Sequence, residues 1–329
     1  MHLFRWLVPF SVALSVACNA SDGHDHDHET DAEHTDETDA TPEVTAFSLQ
    51  FGAVAGAEEV GCGDAVTGLG PEGAFSIGIS DLRFYVSNIV FRDAAGDVVE
   101  ATLDADEFQY GDETGWVGLV DLTGTTEGDC ADGSISFSEG TARTHTAITG
   151  MTDLASVAAV SFDIGVPQPL MKSVIANNTI EGAPSPLAEM YWSWASGYRH
   201  LVLNVTATDG VTEGEGYLHV GSIGCAGDGE NALESKAQCD LVNTPSVSLT
   251  GFDLASDVVV IDVAALLAGL DFEAPVYNPE TWEEIGTTVG VECHSAATQP
   301  DCPTFFESIG LDIASGAATA SENTAFRVK

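Results

Sequence analysis

From Thr45 onward, apolar residues alternate with polar ones in short runs broken by turn residues, a period that predicts strands rather than helices. The clearest run is Leu82–Phe91 (LRFYVSNIVF). Asp93-Ala94-Ala95-Gly96-Asp97 then reads as a turn and Val98–Leu103 as the returning strand. The same pattern predicts strands at Val117–Leu122, Ile135–Phe137, Val157–Ile164, Leu201–Ala207, Tyr217–Val220, Ser246–Leu249 and Val258–Asp262. Only Asp262–Leu270 and Phe305–Ile309 read as short helices. The 34 glycines, many in Asp-Gly and Gly-Asp steps, supply the turns. There is no internal repeat. Regularly spaced short strands over about 280 residues predict an all-β chain, a single antiparallel β-sandwich-like domain over 46–329.

The N-terminal stretch breaks this pattern. Residues 1–18 read as an export leader: a weakly basic start, then the apolar run Trp6–Val16, far short of the roughly 20 apolar residues that span a bilayer. Leu14-Ser15-Val16-Ala17-Cys18 has the form of a bacterial lipobox, which predicts a lipid anchor on Cys18 and a place in the periplasm, outer membrane or cell surface. Residues 19–45 are mostly Asp, Glu, His, Thr and Ala without apolar periodicity, as expected of a disordered acidic tether. His24, His26, His28 and His34 within it form a weak candidate site for a divalent metal.

An oxidising compartment changes the reading of the seven cysteines. With Cys18 acylated, six remain. Their short separations favour Cys225–Cys239 and Cys293–Cys302 as local disulfides, leaving Cys62–Cys130. No C-x-x-C pair occurs, which speaks against a zinc–thiolate site. The balance of 52 Asp+Glu against 9 Lys+Arg, a net charge of −43, repels nucleic acid and anionic lipid and keeps the chain dispersed. No Gly-x-Ser-x-Gly elbow, HExxH helix or phosphate-binding glycine loop appears. Asp104, Asp106 and Glu107 lack the spacing and glycine of a calcium loop, and nothing singles out a carboxylate pair for glycoside hydrolysis. The chain reads as non-enzymatic.

The chemistry concentrates in Met190-Tyr191-Trp192-Ser193-Trp194-Ala195-Ser196-Gly197-Tyr198-Arg199-His200, four aromatics and an imidazole in a chain that is 8% aromatic. Tyr217-Leu218-His219-Val220-Gly221-Ser222 follows, and then Cys225. Met-x-Trp-x-Trp-x-x-Gly-Tyr followed by His-x-Gly-Ser-x-x-Cys resembles the MbnP family. Arg83-Phe84-Tyr85-Val86-Ser87-Asn88, Gly165-Val166-Pro167, Pro184-Ser185-Pro186-Leu187 and a closing Cys293-to-Cys302 segment ending Ser308-Ile309-Gly310-Leu311 agree in order. The resemblance spans roughly Ala46 to Leu311.

That resemblance implies a periplasmic or surface protein holding one copper ion. It also implies a di-haem, peroxidase-like partner of the MbnH type that oxidises one tryptophan to kynurenine. Trp192 is the first choice for the oxidised residue and Trp194 the alternative. The aniline nitrogen would join His219, and His200 as second imidazole, around the metal; imidazole nitrogen suits copper. The family's histidine after Gly-Val-Pro is absent here, where Pro169-Leu170-Met171-Lys172 stands. His145 and His294 look isolated and read as surface residues.

Strand geometry bears on this ligand set. His200, Val202 and Asn204 share one face of their strand, and Leu201, Leu203 and Val205 the other. If 208–216 is the connecting loop, His219 falls opposite Val205. His200 then lies roughly 16 Å away along the strand and on the other face. Sharing one metal would need a bulge, a shifted register or a non-strand His200. Two other classes stand beside the copper reading: a structural surface lipoprotein without a metal, and a divalent-metal scavenger acting through the tether histidines.

Overall fold

The computed structural model describes residues 43–123, 144–178, 182–193, 195–226, 233, 235–281, 283–319 and 323–329. Its strands build two main sheets. The smaller runs Phe326–Val328, Val258–Asp262, Thr45–Ala55, Ala147–Thr152, Ala101–Leu103, with Glu58–Glu59 added beside Thr45–Ala55. The larger has the spine Ser246–Thr250, Ala159–Ile164, Phe75–Arg92, Gly197–Thr208, Glu213–Gly221, Val291–His294. Glu273–Tyr277 and Glu284–Val289 pair as a separate hairpin.

Alternation decides what lies between the sheets. Phe51 of the smaller sheet meets Phe84 and Phe162 of the larger with ring centroids 5.7 Å apart, and Phe47 meets Phe91 at 5.1 Å. All three contacts are edge-to-face, the arrangement that ring quadrupoles favour. Each buried ring contributes about 1.5–3 kcal/mol relative to exposure. A second, smaller core lies on the other face of the large sheet. There Tyr85, Val117, Leu119, Tyr198 and Val202 are covered by Leu170, Met171 and Val174 of the helix Gln168–Asn177 and by Leu187 and Met190.

The all-β, sandwich-like class is as the sequence predicts, and helices are few among the described residues: Gln168–Asn177, Val263–Leu266 and Cys302–Ser308. None is long and apolar enough to cross a membrane. Asp262 ends its strand and caps the second helix, its Oδ1 accepting from the amides of Ala264 and Ala265. Cys225–Cys239 and Cys293–Cys302 are bonded as expected. Cys62 is also disulfide-bonded; Cys130 lies outside the described residues. So do the strand expected at 135–137, the leader with Cys18, and the tether histidines His24, His26, His28 and His34.

Three departures matter for the site. The helix Gln168–Asn177 was not expected; Pro169 looks like a loop residue yet sits in the first turn, where a missing amide costs nothing. Among the described residues two strand pairings are parallel, Thr45–Ala55 with Val258–Asp262 and Glu213–Gly221 with Val291–His294. The strand ending at Gly221 also begins earlier than its apolar pattern suggests. Glu213-Gly214-Glu215-Gly216 looks like a loop, but a Cβ on Gly214 would meet the Val289 carbonyl oxygen at 1.8 Å, so close backbone approach requires glycine there. The true turn is Asp209–Thr212, where Asp209 Oδ1 accepts from the amides of Val211 and Thr212 at 2.8 and 2.6 Å.

In so acidic a chain, Arg83 is fully buried. Its guanidinium grips Asp81 bidentately, Nε to Oδ1 at 2.7 Å and Nη2 to Oδ2 at 2.5 Å. Removing one member of a buried pair leaves the other charge desolvated. Arg83→Ala should therefore lower the free energy of unfolding by about 3–5 kcal/mol, read as a reduced urea midpoint at unchanged m-value. A change near zero would show that Asp81 does not depend on this partner.

Candidate metal centre

The larger sheet sorts its side chains by face. On Gly197–Thr208 and Glu213–Gly221, Leu201, Leu203, Leu218 and Val220 enter the main core. The opposite face presents Asn204, Tyr217 and His219. In the observed register Val202 faces His219 and Asn204 faces Tyr217. The expected register put His219 opposite Val205, so the strand is displaced by an odd number of residues and His219 changes faces relative to that expectation.

Parallel pairing then supplies a second imidazole. His219 and His294 are register partners. Their Nδ1 atoms are 3.1 Å apart and their ring centroids 4.9 Å. His294 is held by its surroundings. Its amide donates to Gln299 Oε1 at 2.6 Å, Gln299 Nε2 donates to Glu292 Oε1 at 2.9 Å, and the neighbouring Cys293 is bonded to Cys302. Ser295 bridges the two strand ends, donating to the His219 carbonyl and accepting from the Gly221 amide, each at 2.9 Å.

The outer ring nitrogens point at acceptors. His219 Nε2 is 2.8 Å from Asn204 Oδ1, and His294 Nε2 is 3.9 Å from Glu292 Oε1. Asn204 Oδ1 draws the His219 proton to Nε2, which leaves the His219 Nδ1 lone pair facing His294 Nδ1. His219 is 3% exposed and the His294 side chain 31%, so one imidazole is interior and the other forms the rim. Burial holds the His219 pKa well below the usual imidazole value, and the charges of Arg199, His294 and Arg83 act in the same direction.

Trp192 closes the third side. It pairs with Gly197 in a two-residue strand, and its ring centroid lies 6.1 Å from His219 and 6.3 Å from His294. A Cβ on Gly221 would come within 2.7 Å of the indole, so glycine is what lets the ring lie against this strand. Tyr217 flanks the imidazoles at 6.2 and 6.3 Å. Trp194 lies outside the described residues.

His200 takes no part in this group. It is the extra residue of a β-bulge between Arg199 and Leu201, which turns it out of the ladder. Nδ1–H donates to the Asn243 carbonyl at 2.9 Å, and Nε2 accepts from Ser222 Oγ at 3.0 Å. Both nitrogens are thus occupied in a fully buried site. Lys172 donates to the Lys236 carbonyl at 2.8 Å and braces the helix on the Cys225–Cys239 loop. His145 stacks on Phe108 at 3.9 Å. The partner of His219 is therefore His294, 75 residues away in sequence; its only local signal was adjacency to a disulfide cysteine.

Two imidazoles bound to one ion at about 2.0–2.1 Å each bring their nitrogens to roughly 3 Å apart, so the pair fits a soft or borderline metal ion. Among the described residues, no group of three or more His, Cys, Asp or Glu side chains could hold an ion. Trp192 and Tyr217 are the other rings that border the pair.

Fold and site together define an all-β sandwich with a paired-imidazole cleft under an indole. The chain belongs to the MbnP family, whose sequence model matches residues 44–283. Among solved structures it is similar to MbnP from Methylosinus trichosporium, with a TM-score of 0.64 and 23% identity over 87% of this chain and 98% of that one. A search of curated proteins returned no match. His294 lies beyond the residues that the family model matches.

The His200 pin yields a pH prediction. Burial lowers its pKa from 6.5 to about 4, partly opposed by the bond to Asn243. The unfolded chain therefore binds the proton first on acidification. The stability that neutral His200 contributes is present in full above pH 6.5 and is lost as pH falls towards 4. The span is about 3 kcal/mol. His200→Gln should flatten this dependence between pH 7 and 5 relative to the wild type in urea unfolding; an unchanged slope would refute the assignment.

Proposed function

We propose that this chain is a copper-binding protein whose centre is the imidazole pair His219–His294, completed by a nitrogen donor made from Trp192. One observation carries the reading: two Nδ1 atoms converge at 3.1 Å while their Nε2 atoms face acceptors. A copper ion held by both nitrogens would take the place of the single proton that they can share. Membership of the MbnP family supports copper in particular.

Each residue has a part. His219 is the buried donor on a strand of the main sheet, and His294 the rim donor through which an ion enters. Indole has no lone pair to offer, whereas the aniline of kynurenine has one. Oxidation by a di-haem, peroxidase-like partner of the MbnH type would turn Trp192 into the third ligand, with Trp194 as the alternative target. Trp192 is 7% exposed and borders the half-exposed His294, so an oxidant docked on that rim is close to the ring without entering the core. The chain acts as the substrate of that partner and as a copper carrier, not as an enzyme. With Cys18 acylated it is held at the membrane by lipid alone, in the periplasm or at the cell surface.

Copper competition titrations of the full-length chain with His24, His26, His28 and His34 changed to Gln test the site. His219→Ala and His294→Ala should each abolish tight binding, and His200→Gln should preserve it. Binding that vanishes with the tether substitutions alone would make the tether the metal scavenger and sink the reading. Binding that needs His200 and not His294 would sink the ligand set.

Peptide mass spectrometry of protein from cells expressing the di-haem partner should show residue 192 with one carbon lost and one oxygen gained. Protein made without the partner should keep intact indole and bind copper more weakly. Intact tryptophan at both 192 and 194 in the first sample would defeat the kynurenine part.

A further inference from the structure

Asn204 is 6% exposed, has no place in the main hydrophobic core, and lies two residues from the register partner of His219, within diagonal reach across the strands. Its side-chain oxygen is 2.8 Å from His219 Nε2. A buried imidazole must satisfy both nitrogens, and which one carries the proton is set by the bond the other ring nitrogen makes. We infer that Asn204 is a positioning residue. It accepts from His219 Nε2–H and so keeps Nδ1 unprotonated and aimed at His294 whether or not a metal is bound. This rests on the copper reading only for its consequence, not for the tautomer itself.

The two imidazoles differ in how firmly they are set. The contact between His219 and Asn204 is short and buried, while that between His294 and Glu292 is 3.9 Å and partly exposed. His219 is therefore the preformed half of the clamp. Outer groups of this kind, bound to a metal-ligating histidine, typically account for about 10–100-fold in affinity.

The test begins with the metal-free, full-length protein with its tether histidines changed to Gln, in which ¹⁵N-histidine resonances report the tautomer of each ring and His219→Ala assigns the signal. His219 should be protonated at Nε2. Asn204→Asp, which can accept but not donate, should leave that tautomer in place, whereas Asn204→Leu should shift the proton to Nδ1. Copper(I) and copper(II) competition titrations should then show a loss of about 10–100-fold for Asn204→Leu and a smaller loss, or none, for Asn204→Asp. An Nδ1–H tautomer in the unsubstituted side chain, or a tautomer switch on Asn204→Asp, would overturn the inference. So would an Asn204→Leu protein that binds copper as tightly as its parent while His219→Ala does not. If Asn204→Leu does not fold, the first two measurements decide. If His219→Ala leaves copper binding unchanged, the copper reading fails while the tautomer still decides the role of Asn204.

Discussion

Parallel pairing of Val291–His294 with Glu213–Gly221 is the constraint on which the site depends. A parallel ladder places register partners side by side on the same face, so residues 219 and 294 lie together once that strand is added. Everything that fixes the added strand then fixes the imidazole pair: the Cys293–Cys302 bond, the Gln299 side chain and the Ser295 bridge to the neighbouring strand end. An edge strand of four residues would be marginal without such ties.

Electrostatics beneath the pair are unlike the rest of the molecule. The surface is strongly acidic, yet Arg83 and Arg199 are both buried below it. Their charges favour the neutral form of His219, in the same direction as burial. A neutral ring is the form that can offer a lone pair to a metal, so burial and these charges favour the state that a ligand would need. The net charge of −43 meanwhile attracts cations to the molecule as a whole.

His200 and His219 show how nearby histidines acquire different work. They lie on adjacent strands, and both are buried and neutral. The bulge at His200 aims its ring at a carbonyl and a hydroxyl, which use both nitrogens for structure. His219 stays in the regular ladder, turns Nε2 to Asn204 and turns Nδ1 to His294 across the strands. The partner of the second nitrogen, another imidazole rather than a carbonyl or a hydroxyl, separates the candidate ligand from the structural ring.

Local pattern determined what local forces control. Alternation over Leu82–Phe91 and Leu201–Ala207 set strands and their buried faces, short cysteine separations set Cys225–Cys239 and Cys293–Cys302, and the Trp192 and His219 motifs marked the region of chemistry. The strand containing Gly214 and the helix opening at Pro169 were hidden, because those residues are locally unfavourable and are justified only by what packs against them. The identity of the second imidazole was hidden for a stronger reason. His200 is close to His219 in sequence and His294 is far, but a one-residue bulge removes the first and a parallel pairing across 75 residues delivers the second. Register and bulges arise from how whole strands satisfy their hydrogen bonds against neighbours, so only the tertiary structure decided which nitrogens meet.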